Sequence, residues 1–375
     1  MNSQAEVKGI VSERYSEGAK ERQEALCCPV DYDASLLEML PQEIVERDYG
    51  CGDPSRYVQE GDTVLDLGSG GGKICYMAAQ LVGEAGKVIG IDMTDDMLAL
   101  ARNYQSEMAE KIGGDRVVFH KGYIQDLALD LQAQENFLSS NASLDTDAIE
   151  FKDWQQKQKA EAPLIEDFSV DLVVSNCVLN LVAESDRTQM IDGIFRVLKP
   201  GGRVAISDIV SDEFVPEHLK ENEELWTGCI SGAFQEAQFA QAFLEAGFVL
   251  VNYDKWDSAP WQVVEGIEFR SVTLMAVKPA DTKSIDCGQA VIYKGPYSEV
   301  RDDEGQIYPR GARIAVSDRT FSFLIEGPMK DDFIGINPAT SQDPVAFSQS
   351  MGSVRPASET KGALHNSSSE GGSCC

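Results

Sequence analysis

The segment Thr63-Val64-Leu65-Asp66-Leu67-Gly68-Ser69-Gly70-Gly71-Gly72 constrains the fold more than any other part of the chain. Five residues of strand character run directly into a turn dominated by glycine, the residue that adopts positive φ without steric penalty. The chain therefore leaves a strand sharply and enters a helix, expected over 73–82. The alternation then repeats: strand 87–91, helix 94–111, strand 116–119, strand 170–175, helix 187–198, the turn Lys199-Pro200-Gly201-Gly202, and strand 203–207. Strands separated by helices at this spacing imply a parallel sheet with helices on both faces. The expected fold is α/β, doubly wound and Rossmann-like.

Other segments decorate that core. Residues 1–60 read as an N-terminal helical cap, with Leu36, Leu37, Leu40 and Ile44 at amphipathic spacing that Pro41 interrupts. Residues 61–280 form the expected core domain. Within it, 133–162 turns polar and aperiodic and reads as a surface insertion holding at most a short helix. A helix at 236–245 is ended by Gly247, and strands at 248–253 and 270–277 close the sheet as an antiparallel edge. From 285 to 340, short apolar runs at 290–293, 313–316, 321–324 and 333–336 alternate with Gly, Pro and acidic turns, which predicts a small β-rich domain. Ser, Gly and polar residues dominate 341–375, so a disordered tail is expected there.

With 32 Lys and Arg against 62 Asp and Glu, the 375 residues carry a formal charge of −30. Such a surface repels phosphate backbones and anionic lipid, which argues against nucleic-acid and membrane partners. No run of about 18 apolar residues is present, and Met1-Asn2-Ser3-Gln4-Ala5-Glu6 lacks the order of a signal peptide, so a cytoplasmic protein is expected. The nine cysteines in this setting read as reduced thiols, each by default a small core residue unless its position argues otherwise.

The glycine turn has the spacing G-x-G-x-G, and Asp92 ends the next strand 26 residues after Asp66, where a carboxylate can accept ribose hydroxyls. Asp66-Leu67-Gly68-Ser69-Gly70, Ile91-Asp92-Met93 and Phe195-Arg196-Val197-Leu198-Lys199-Pro200-Gly201-Gly202 together resemble the motifs of the class I S-adenosylmethionine-dependent methyltransferases. The resemblance implies S-adenosylmethionine as methyl donor. It places Asp66, Gly68, Ser69 and Gly70 at the turn, Asp92 on the ribose, Met93 on the adenine, and Tyr123, Ile124 and Gln125 over the adenine edge. Tyr49 and Asn176 complete the expected donor site.

Three cysteines sit where packing does not require them: Cys51 in Tyr49-Gly50-Cys51-Gly52, Cys177 in Ser175-Asn176-Cys177-Val178-Leu179-Asn180-Leu181, and Cys229 in Gly228-Cys229-Ile230-Ser231-Gly232-Ala233. These segments look like those of the arsenite S-adenosylmethyltransferase family, and the likeness spans about 12–280 and extends into the 287–336 module. It implies that Cys177 and Cys229, joined by Cys51, hold trivalent arsenic, and that a further N-terminal cysteine forms a disulfide with Cys51 during turnover. Cys27 and Cys28 are both candidates for that partner, with Cys28 preferred. Glutathione or thioredoxin is the expected thiol reductant. The chemistry agrees, because arsenic(III) is a soft centre selected by thiolates. Its lone pair needs no general base, in keeping with only three histidines (His120, His218, His365), none beside these motifs. Cys75 reads as core, Cys287 as structural or incidental, and Cys374-Cys375 as too flexible to preorganise a site. The alternatives are methylation of another small acceptor, and a zinc-binding protein, which the absence of C-x₂₋₄-C spacing disfavours.

Overall fold

A computed structural model describes residues 4–23, 30–141, 146, 148–279, 284–327 and 329–361. The chain divides into two units, 1–280 and 281–375.

The first unit is built on one twisted sheet. Its strands are β1 (Thr63–Leu67), β2 (Lys87–Asp92), β3 (Val117–Lys121), β4 (Val170–Asn176), β5 (Leu198–Ser211), β6 (Phe234–Gln235), β7 (Val249–Trp256), β8 (Gln262–Val264) and β9 (Ile267–Val277). The order is β3-β2-β1-β4-β5-β9-β7, with β6 on β5 and β8 on β9. The first five strands are parallel, while β9 runs antiparallel to both β5 and β7. Strand order reverses between β1 and β4, and ligands of open α/β sheets bind outside the carboxyl ends at that point. Helices on both faces explain why Val64, Leu65, Leu172, Val173 and Val174 are all fully buried.

The N-terminal helices are α1 (Gln4–Lys20), α2 (Ala34–Leu37) and α3 (Gln42–Arg47). After β1 comes α4 (Lys73–Leu81). The helix expected over 94–111 is two, α5 (Asp95–Asn103) and α6 (Gln105–Ile112), broken at Tyr104. The insertion also differs from expectation. It forms α7 (Leu131–Ser140) and α8 (Ile149–Glu161), joined by Phe137, Phe151 and Trp154, whose rings stack with Phe137 and Trp154 centroids 4.5 Å apart. Three aromatics suffice to seal two helices whose other faces are polar, which is why no apolar periodicity marks them. The unit is completed by α9 (Arg187–Val197), α10 (Glu217–Lys220), α11 (Glu223–Thr227) and α12 (Glu236–Glu245).

The second unit contains β10 (Ile285–Asp286), β11 (Ala290–Tyr293), β12 (Glu299–Arg301), β13 (Ile307–Pro309), β14 (Arg313–Ala315), β15 (Phe333–Ile336), β16 (Val345–Ala346) and α13 (Asp318–Glu326). The run at 321–324, expected as strand, lies in α13. Ser317 caps this helix by accepting from Thr320 N, and Phe321 and Leu324 fall three apart on its buried face. Residues 341–361, expected to be disordered, are built into this unit. β16 pairs with β10, Thr360 is buried, and Arg355 Nη2 donates to both oxygens of Asp286. A few specific polar contacts anchor this segment, and composition does not report such contacts.

Candidate active site

A cleft of about 1030 Å³ opens at the carboxyl ends of β1, β2 and β4. Gly68 and Gly70 form part of its wall at φ of 68° and 51°, values that glycine adopts without strain. Asp92, Met93, Thr94 and Met97 line it from the β2 end, Gly122, Ile124 and Gln125 from the β3 end, and α1 covers it with Val7, Lys8, Val11 and Tyr15. Tyr49 also lines the cleft; its hydroxyl donates to Gly18 O and accepts from Gln23 N, tying α1 to the rim. Three expected residues, Asp66, Ser69 and Tyr123, lie outside its lining. Ser69 is buried beneath the turn, where a Cβ on Gly90 would fall 2.8 Å from its Oγ, and Tyr123 holds its ring under the Lys8 ammonium, 4.2 Å away.

Three carboxylates gather around the turn. Asp92 accepts from Gly70 N at 2.9 Å and Thr94 N at 2.8 Å, one on each oxygen. The Thr94 side chain also bonds to it, so about one of a carboxylate's roughly four lone-pair positions stays available toward the cleft. Asp48 accepts from Lys73 N, and the buried Lys73 ammonium donates to the Asp48 carbonyl. Asp66 is buried outside the lining of the cleft and accepts from Cys75 Sγ at 3.3 Å. Burial raises the pKa of all three; in Asp66 burial, with further contributions from Asp48 and Asp92, pushes it up to about 7. Cys75 is buried and held protonated by burial and by Asp66, consistent with a packing role.

The cysteine segments meet at one end of this cleft. Cys51 is fully buried on a loop clamped by Asn176, whose Oδ1 accepts from Cys51 N at 2.9 Å and Gly52 N at 3.0 Å, while Nδ2 donates to Gly52 O. The flanking glycines are obligatory: a Cβ on Gly50 would sit 2.1 Å from Asn176 Nδ2, and one on Gly52 2.3 Å from Ser207 Oγ. Cys177 and Cys229 line the cleft and both occupy the left-handed region, at φ of 64° and 62°. Non-glycine residues there are strained and concentrate at functional sites. Cys229 Sγ donates to Cys177 O at 3.0 Å. The sulfurs of Cys51 and Cys177 and an oxygen of Asp208 all lie within 4.8 Å of one another.

Residues 58–247 match the model of a methyltransferase domain, and 280–365 match a domain of unknown function, DUF8838. The arsenite methyltransferase of Aquipseudomonas alcaligenes is 34% identical over 268 residues, covering 69% of this chain and 67% of that protein. That of Mus musculus is 31% identical over 315 residues, covering 81% and 74%. The chain belongs to the arsenite methyltransferase family. Among solved structures, an arsenic(III) S-adenosylmethionine methyltransferase from Chlamydomonas reinhardtii aligns with a TM-score of 0.56 at 27% identity, covering 84% of this chain and 99% of that one.

As an arsenite methyltransferase family member, the chain carries several groups at the site that sequence reasoning passed over. Asp48 and Thr94 border the donor cleft, and Tyr15 and Trp261 border the cysteine end. Burial, then the charges of Cys229 and Cys177, hold the Tyr15 hydroxyl well above the usual phenol range, and it hydrogen-bonds to Cys229. Asp208 and Asn180 are buried beneath the cysteine loops. Asp208 had a signal in the sequence, an acid inside the apolar run of β5, while Tyr15 had none. Cys27 and Cys28 lie outside the described residues.

Proposed function

We propose that this chain transfers a methyl group from S-adenosylmethionine to trivalent arsenic held by Cys51, Cys177 and Cys229. The observation that carries the reading is that Cys177 and Cys229 line the same cleft as the glycine turn and Asp92, with the buried Cys51 sulfur within 4.8 Å of the Cys177 sulfur behind that wall. The donor site fits its ligand: side-chain-free turn positions give close approach, Asp92 keeps acceptor capacity for a ribose hydroxyl, and Asp48 and Asp92 favour a cationic ligand. S-adenosylmethionine supplies the electrophilic methyl group when bound.

The residues of this chain position the reactants. Met93 and Ile124 would hold the adenine with apolar surface, Gln125 would meet its polar edge, and Gly68 and Gly70 would admit the donor's tail. In the arrangement described, Cys229 Sγ is engaged with the Cys177 carbonyl, so a side-chain rotation of Cys229 completes a three-sulfur site. α1 and the cysteine loops exclude water, and orientation of this kind contributes about 7–11 kcal/mol in well-aligned reactions. Return of arsenic from the pentavalent to the trivalent state takes two electrons, supplied as two thiols become a disulfide. Cys51 with Cys28 is the pair we assign, and glutathione or thioredoxin restores it.

No helix among the described residues is long and apolar enough to cross a membrane, which is compatible with a cytoplasmic enzyme. The test is incubation with arsenite, S-adenosylmethionine and glutathione or thioredoxin, followed by arsenic speciation. Methylated arsenicals are expected from the wild type and none from Cys177→Ser, which keeps its donor affinity. Normal donor binding without any methylated arsenical sinks the substrate assignment.

A further inference from the structure

Asp208 is 1% exposed on β5, and its carboxylate is saturated: Oδ2 accepts from Leu179 N at 3.0 Å and Asn180 N at 3.4 Å, Oδ1 from Asn180 Nδ2 and Ile209 N, both at 2.8 Å. Four N–H donors fill the four lone-pair positions of an ionised carboxylate, so a proton on it would face a donor whichever oxygen it took. Burial pushes the pKa up to about 7 even against the pull of these N–H groups, so the carboxylate form that the four donors require predominates above neutral pH. Among the described residues no ammonium or guanidinium lies within 4.0 Å of it. The nearest cation acting on it, Arg187, is committed to Gly232 O and the face of Phe234. A buried charge without a counter-ion is expensive to retain. It also lies with the Cys51 and Cys177 sulfurs inside a 4.8 Å cluster.

The reaction in the preceding section offers the compensation. As the arsenic lone pair forms the new As–C bond, the C–S bond of the donor breaks with its electron pair returning to sulfur. Positive charge thereby leaves the sulfonium and arrives on arsenic, which holds three thiolates and a methyl group as a cation. No proton is moved and no oxidant is needed. We infer that Asp208 is the counter-charge for this arsenic-centred cation, a preorganised anion aimed at where positive charge develops. It does not ligate arsenic, because its lone pairs are occupied, and it does not act as a base. This inference rests on the arsenite reading of the site. Fixed groups facing developing charge in a dry site are often worth about 100-fold in rate.

The test uses the full chain and Asp208→Asn, which removes the charge with little change in shape, beside Asp208→Glu, which retains it. With arsenite and S-adenosylmethionine saturating, the single-turnover rate of Asp208→Asn is expected to fall about 100-fold, while arsenite affinity, read by tryptophan fluorescence, changes less than about 3-fold. Asp208→Glu is expected to keep at least about 10 times the rate of Asp208→Asn. Parallel losses of rate and arsenite affinity, or equal losses in both variants, reduce Asp208 to a brace for the Cys177 loop and overturn the inference. A readout independent of turnover is the affinity for sinefungin, which carries an ammonium near the position of the transferred methyl, relative to neutral-sulfur S-adenosylhomocysteine, with arsenite bound. Sinefungin is expected to bind the wild type more tightly, and that preference to shrink at least about 5-fold in Asp208→Asn. A wild-type ratio near one overturns the inference even where Asp208→Asn does not fold. Failure of the wild type to methylate arsenite is a separate result, and it removes the substrate reading first.

Discussion

Replacing Asp66 by Asn should make the protein more stable at pH 8 and leave it no more stable at pH 4. Asp66 lies at 2% exposure beneath the glycine turn, and burial, reinforced by Asp48 and Asp92 and opposed by Cys75 Sγ–H and Lys73, moves its pKa from the unfolded value near 3.8 up to about 7. Between those values the folded chain holds a proton that the unfolded chain has released. Folding is therefore favoured by this group below about pH 4, and that advantage is lost as pH rises to about 7. Three pKa units at about 1.4 kcal/mol each give about 4 kcal/mol of lost stability at pH 8. Asn is neutral throughout, so the variant avoids this loss and forfeits only the weak contact with Cys75. A gain of about 2–4 kcal/mol at pH 8 that vanishes by pH 4 is expected in urea titrations followed by tryptophan fluorescence. All four tryptophans lie in the first unit, so the signal reports that unit alone. S-adenosylmethionine, a cation near the acidic group, should narrow the gap by favouring the ionised carboxyl. A difference between wild type and variant that is constant with pH, or that grows toward acid, refutes the reasoning.

Gly52→Ala puts a methyl group 2.3 Å from Ser207 Oγ, so the Cys51 loop must shift; a stability loss of about 1–3 kcal/mol in urea is expected, with arsenite affinity falling by more than donor affinity. Arg355→Met leaves Asp286 buried and uncompensated and should destabilise the second unit by about 3–5 kcal/mol, measured by hydrogen exchange at 285–336. Arg355→Met combined with Asp286→Leu should recover most of that loss, and a double variant as unstable as the single one would show that the pair is not what holds the segment.

The alternating core was legible because each signal there is local. Residues 63–67, 187–197 and 236–245 carry β-branched runs, amphipathic spacing or a terminating glycine, and they fold as those signals say. What escaped was set by a few long-range contacts. The insertion helices depend on three rings separated by up to 17 residues, the 321–324 run follows the Ser317 cap and not its own β propensity, and 341–361 is anchored through Arg355 and Thr360. At the cleft wall, Gly68, Gly70 and Asp92 were readable because backbone geometry and charge demand those residue types, whereas the motif acid Asp66 lies buried outside the lining. Tyr15 reaches the Cys229 thiol from α1, more than 200 residues away in sequence, and no local pattern encodes that approach.

The segment 175–181 does more than supply one thiol. Asn176 Oδ1 holds the N–H groups of Cys51 and Gly52, fixing the first cysteine loop to the end of β4. Cys177 itself takes the left-handed conformation that turns its side chain into the cleft, and its carbonyl receives Cys229 Sγ–H. Asn180 then reaches the third loop: Nδ2 donates toward Cys229 O and Oδ1 accepts from Phe234 N, while the Asn180 carbonyl lies so close to Gly232 that any side chain there would collide at 2.1 Å. Two asparagines four residues apart therefore set the positions of loops that are 125 and 49 residues distant. The same short turn donates Leu179 N and Asn180 N to Asp208, so the anion is oriented by the loop that it faces. Strain at Cys177 and Cys229 persists because the hydrogen bonds around them over-determine the backbone. The asparagines, and not the cysteines alone, bring the three cysteine loops together: a chain that kept every cysteine but lost Asn176 and Asn180 would retain the thiols and lose the arrangement of their loops.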